Sequence, residues 1–239
     1  MNRPLRAPDG LRPLHIRIFA LLCLAATFWM FQLARADAGP APNLAICTEY
    51  PRGFPGATLA IEFVQNPAQV DCIVALGRRR LGPELRADAV TVALYWSILV
   101  CLSLLAMRSG GPGLRRLGLA GGICATLGAV ADLVENRGIG RLLAGAREQN
   151  VIDLVRHAAY WKWGLLAAAF LLLAVFLFRR SAWSWLHGAL FLLAGGSIAW
   201  RLLAPERLPD LGSSVGWITY ALLACVLLFL LHPRSLLAD

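Results

Sequence analysis

Asp132, Glu135, Asn136 and Lys162 are the residues whose types and spacing could do chemistry in this chain. Two carboxylates can act as acid and base when their surroundings separate their proton affinities. A nearby ammonium can stabilise negative charge developing in a reaction. The same set can instead hold a headgroup, an ion or a proton. All four residues stand at the edges of strongly apolar runs, and Lys162 is the only lysine among 23 basic residues. An ionised side chain near the centre of a membrane helix costs about 2.5–3.5 kcal/mol on insertion scales. Such groups persist when they pair, meet water or perform a function.

Helical spacing says which way these side chains point. Counting back from Asp132 by turns gives Gly128, Ala125, Gly121 and Gly118, all small and all on one face. Small residues let membrane helices approach closely, so Asp132 is expected to face a neighbouring helix. Glu135 and Asn136 follow on the same side of the last turn. Lys162 opens the next apolar run between Trp161 and Trp163. Asp88, Thr91 and Tyr95 share a face at the start of an earlier run. These segments bring polar groups to one level, and an ion pair of Lys162 with Asp132 or Glu135 is expected. Glu62 and His157 belong to the same side and are expected to line its mouth. A buried ion pair can also serve only to fix helix register.

Other chemistries lack their motifs. The chain has no G-x-S-x-G, no H-E-x-x-H and no phosphate-binding glycine loop in a strand-turn-helix context. Its four histidines, His15, His157, His187 and His232, show no metal-ligand spacing. No metal and no cofactor are expected.

Composition sets the class. Of 239 residues 58% are hydrophobic and 15% charged, with a net charge of +9. The arginines gather in short segments between apolar blocks, which is the pattern of topology signals and anionic-headgroup contacts. A nucleic-acid surface would instead collect them on one face or element, so nucleic acid is not an expected partner. Membrane lipids are, and a membrane protein partner is a further candidate.

Six blocks have nearly the length needed to span a bilayer: Ile18–Ala34, Asp88–Met107, Leu117–Asn136, Ala158–Phe178, Trp183–Leu203 and Leu211–Leu231. Tryptophans at their ends fit an interfacial belt. The first block ends in Ala34-Arg35-Ala36, a small-residue pattern that also suits a signal-peptide cleavage site. Its length and its Trp29 and Phe31 favour an uncleaved first span, and either alternative leaves residue 40 outside the cytoplasm. Arginine density places both termini inside, although Arg78–Arg80 oppose that assignment.

Residues 35–86 form the one sizeable polar segment. Alternation over Thr58–Val64 predicts a short strand. Asn66-Pro67-Ala68-Gln69 predicts a helix start, with Asn66 as the cap and Gln69 three residues on, and this helix is expected to end near Leu76. Cys47 and Cys72 are the only cysteines in the polar segment and are free to pair in an oxidising compartment. Such a bridge is worth about 3–4 kcal/mol in the chain-entropy model. The fold class expected is all-α: a polytopic transmembrane helical bundle of about six spans with a small extracytoplasmic loop segment. Residues 1–17 would be a cytoplasmic tail, 18–34 the first span or signal, 35–86 the extracytoplasmic segment, 87–231 a five-helix bundle and 232–239 a second cytoplasmic tail.

Taken together, Ile61-Glu62-Phe63, Asn66-Pro67-Ala68-Gln69, Ala87-Asp88 with Tyr95, Asp132-x-x-Glu135-Asn136 and Lys162 resemble a widespread group of uncharacterised bacterial multi-pass membrane proteins. Members of that group end a middle helix in D-x-x-E-N and carry a lysine at the start of the following helix. The resemblance covers roughly residues 57–170. It implies the bundle and the location of a site, and no activity is assigned to the group.

The expectation that follows is a protein of a bacterial cytoplasmic (inner) membrane with an outer-leaflet polar pocket. Its candidate site residues are Asp132, Glu135, Asn136, Lys162, Asp88, Tyr95 and Glu62. The pocket would bind a lipid headgroup, a small solute or a partner protein. The alternatives are a membrane-embedded enzyme on a lipid or lipid-linked substrate, with Glu135 or Asp132 as base, and a transporter.

Overall fold

A computed structural model describes residues 13–36, 47, 54, 56–108, 111–178 and 182–231. Its described residues form seven α-helices and one 3-10 helix, with no strand. The helices are α1 (Pro13–Ala36), α2 (Ala57–Glu62), α3 (Pro67–Arg108), α4 (Pro112–Leu143), α5 (Gln149–Leu177), α6 (Ala182–Leu203) and α7 (Leu211–Leu231), with the 3-10 helix at Pro205–Asp210. From α3 to α7 each helix packs on the next, and α1 closes the ring between α7 and α3. Five of them, α3 to α7, are long and apolar enough to cross a membrane. The chain is an all-α helical bundle that fits a multi-pass membrane protein. In α1 the described apolar stretch, His15–Ala26, is shorter than a span. The two tails expected at 1–17 and 232–239 fall largely outside the described residues.

Three expectations about the polar segments need correction. Residues 57–62 form a helix, not a strand. Alternation over so short a piece does not discriminate, and no partner strand is at hand to satisfy its backbone. A helix turn satisfies it locally, with the Ala60 amide donating to the Gly56 carbonyl at 3.1 Å. The helix begun at Pro67 does not stop near Leu76. It runs unbroken for 42 residues through Arg78–Arg80 and past Pro83. Arginine is a good helix former, and one interior proline removes one backbone donor, which a helix anchored at both ends survives. The polar break expected at Arg137–His157 is mostly helical too, since α4 continues to Leu143 and α5 starts at Gln149.

These extensions give the bundle two different ends. At 1.5 Å per residue α3 is about 63 Å long, against a hydrocarbon layer of about 30 Å. The surplus builds a cap. Asn66 accepts from the Gln69 amide at 3.0 Å and caps α3. Cys47 is disulfide-bonded to Cys72, with Cα atoms 5.9 Å apart. The α4–α5 turn closes in a Schellman arrangement around Gly145, whose φ of +107° suits glycine. Arg147 then bridges to Asp71 at 2.6 Å and donates to the Leu142 and Ala146 carbonyls. Phe54 stacks on Phe63, which meets Tyr160 edge-on.

The interior accordingly divides into two apolar cores. One fills the bundle from Ile16 and Phe229 to Tyr95, Ala129 and Leu166. The other fills the cap end, from Cys47, Phe54, Ile61 and Ile73 to Val155, Trp163 and Leu211. On α4 the small-residue face, Gly118, Gly121, Ala125 and Gly128, is buried. Leu119, Ile123, Leu127, Val130 and Leu133 on its outer face are exposed, as suits a surface against lipid.

Candidate functional site

The two cores meet at a polar cluster. Lys162 of α5 is 4% exposed, and three carboxylates from two other elements surround its ammonium. Glu135 Oε1 lies 2.8 Å from Lys162 Nζ, Glu62 Oε1 3.1 Å and Asp132 Oδ1 3.7 Å. Asp132 and Glu135 come from the same face of α4, one turn apart, and Glu62 comes from the last turn of α2. The ammonium thus takes the central position that a metal ion takes in a carboxylate cage. Among the described residues no group of His, Cys, Asp and Glu side chains is arranged to hold a metal.

A second layer holds the carboxylates in place. The Tyr95 hydroxyl of α3 donates to Asp132 Oδ2 at 2.8 Å. The indole N–H of Trp163 donates to Glu62 Oε2 at 2.8 Å. The Trp163 ring also lies 4.9 Å from Lys162 Nζ, a cation–π distance. Beside the cluster Asn136 donates to Asp88 Oδ2 at 2.6 Å, tying α4 to α3. Two carboxylate oxygens, Asp132 Oδ1 and Glu135 Oε2, are buried with no hydrogen-bond donor.

The sequence-derived candidates divide accordingly. Asp132, Glu135 and Lys162 converge directly, and Lys162 contacts both acids rather than one. Tyr95 joins them through Asp132, while Asp88 and Asn136 form a neighbouring pair. Glu62 was expected at the mouth and lies instead in the centre, 5% exposed. The helical turn at 57–62 explains this, because it buries Glu62 together with Ile61. His157 is exposed and bonds the Asp153 carbonyl of its own helix, so it belongs to the surface. Sequence reasoning missed Trp163 as a ligand of Glu62. Its place beside Lys162 was the available signal, since an indole carries one donor that burial must satisfy.

Charge balance is the main electrostatic fact. Three carboxylates and one ammonium would carry two net negative charges if all were ionised. The four residues are at most 5% exposed. An uncompensated charge in such a place costs several kcal/mol, and groups neutralise rather than bear it. For Glu62, which lies outside the spanning helices, burial pushes the carboxyl above its ordinary value of 4.5 even though Lys162 pulls the other way. The ammonium is shared with Asp132 and Glu135, so its pull on Glu62 is weaker than the effect of burial.

No family model matches the chain, and neither a curated protein nor a solved structure matches it.

Proposed function

We propose that this chain is a proton-binding protein of a bacterial cytoplasmic membrane, with its cap on the extracytoplasmic side and its acid–lysine cluster in the outer leaflet. The carrying observation is the ratio of three buried carboxylates to one ammonium. Protons are the ligand that fits a cluster so closed: they need no cavity, and they cancel the surplus charge. Glu62 belongs to the cap and the other members to the bundle, so the proton load sets how firmly the cap is held. Protonated, the cluster is balanced and the cap is seated. Stripped of protons, two like charges face each other without compensation and α2 is pushed away.

Pairing of Cys47 with Cys72 supports an oxidising side for the cap. The resemblance to the D-x-x-E-N group points to the same place and membrane. Binding is favoured over catalysis because Asp132, Glu135 and Lys162 are closed off from any lipid-linked substrate. The two acceptor oxygens without donors fit protonation as well, since a carboxyl proton turns an orphan acceptor into a donor.

The test is hydrogen exchange of the α2 segment in the full chain, reconstituted in vesicles and compared across pH at matched intrinsic exchange. The proposal expects protection of residues 57–63 to fall as pH rises, and Glu62→Gln to keep it level. Protection of the wild type that is independent of pH would overturn it.

A further inference from the structure

Tyr95, whose hydroxyl holds Asp132, also lines a second feature. Helices α1, α3 and α7 leave between them a cleft of about 140 Å³. Leu24, Thr91, Tyr95, Ile98, Leu222 and Val226 line it, with Thr219 and Leu223 at its exposed rim. Its walls α3 and α7 each contain an 18-residue stretch with a mean hydropathy of 2.2, the highest among the candidate spans. The cleft therefore lies at hydrocarbon depth and opens toward the bilayer.

Its hydroxyl groups already donate hydrogen bonds within the protein. Thr91 donates to the Ala87 carbonyl at 3.2 Å, Thr219 to the Val215 carbonyl at 2.8 Å and Tyr95 to Asp132 at 2.8 Å. A phosphate headgroup, which needs donors, would find none free on these walls. Apolar cavities of roughly 150 Å³ stay dry and take up hydrocarbon of benzene size. We infer that this cleft seats the end of one lipid acyl chain, with the Tyr95 ring as its floor. The chain lies against the ring whose hydroxyl holds Asp132, so the lipid site and the acid–lysine cluster share a wall. The inference is independent of the proton reading, because it rests on the cleft's lining and on the membrane-spanning reading of α3 and α7.

The experiment uses the full chain in phosphatidylcholine vesicles doped with phosphatidylcholine that carries a diazirine near the end of one acyl chain. After irradiation, adducts are mapped by mass spectrometry. Adducts at residues 91–98 and 219–226 should exceed, several-fold, those at Leu127 and Leu193, which are exposed on the outer faces of α4 and α6. Leu222→Trp, which fills the cleft, should abolish the excess while leaving adducts at Leu127 unchanged. Val226→Phe is the second filling variant, should the first fail to fold. Tyr95→Phe keeps the floor and should keep the excess. Equal labelling at the cleft and at Leu127 would overturn the inference. So would rapid modification of Thr219→Cys by a membrane-impermeant maleimide, which would mean a wet cleft. A disulfide joining two copies through Leu223→Cys would overturn it too, by making a second chain the occupant.

Discussion

Glu62 and Lys162 are one hundred residues apart and meet at 3.1 Å inside the protein. One stands on a six-residue helix of the cap and the other on a spanning helix of the bundle. Their contact joins the two parts, and two more acids from α4 compete for the same ammonium.

Removing the ammonium leaves three acids together. Lys162→Met should destabilise the protein by about 3–5 kcal/mol, the usual cost of breaking a buried ion pair from one side. Glu135→Gln in the same chain should recover part of the loss, because it removes the nearest stranded acid. Thermal melts of the single and double variants in one detergent measure both effects. A double variant less stable than Lys162→Met alone would contradict the charge argument.

The pH dependence has a definite sign. Burial raises Glu62 above its ordinary 4.5 in the folded protein, with Lys162 opposing and Asp88 adding to the rise. Between the ordinary and the raised value the folded state keeps a proton that the unfolded state has lost. Stability is therefore present at acid pH and falls as pH rises through the raised value. Melting temperature should decline over that interval, and Glu62→Gln should flatten the decline. A glutamine at this position still offers Trp163 an acceptor.

Loss of the Cys47–Cys72 bridge should loosen the cap selectively. Reduction is expected to cost about 3–4 kcal/mol by releasing the closed segment of chain. Hydrogen exchange should rise in α2 and the first turns of α3 and remain unchanged in α6. In the unreduced protein neither Cys47 nor Cys72 should label with a thiol reagent.

Two glycines on α4 should respond differently to alanine. A Cβ at Gly138 would stand 2.5 Å from Val155 Cγ2, while one at Gly128 would meet Leu165 Cβ at an ordinary 3.5 Å. Gly138→Ala should cost about 1–3 kcal/mol by overpacking, and less in a Val155→Ala background, where the clashing methyl is gone. Gly128→Ala should be neutral, or stabilising by about 0.5–1 kcal/mol through the better helix propensity.

Much of the bundle was legible in the sequence because membrane spans announce themselves by length and composition. The small-residue stripe that ends in Asp132 is buried, and the level shared by Asp132, Glu135 and Lys162 also followed from turn counting. What escaped was the cap. Over Thr58–Val64 the periods of helix and strand overlap, and Glu62 was expected at the mouth of the site rather than at its centre. Arg78–Arg80 and Pro83 looked like a stop, yet helix propensity and anchoring at both ends carried α3 through them. The role of Trp163 needed the position of Glu62, which only the packed cap supplies.

The central claim is that the cluster holds protons its single lysine cannot replace. Infrared difference spectroscopy of the purified protein tests this at neutral pH, because a protonated carboxyl absorbs in a carbonyl band that a carboxylate lacks. The account predicts such a band in the wild type. It should weaken or shift in Glu62→Gln, Asp132→Asn or Glu135→Gln, and vanish when all three are neutralised together. A wild-type spectrum in which no buried carboxyl carries a proton would contradict it.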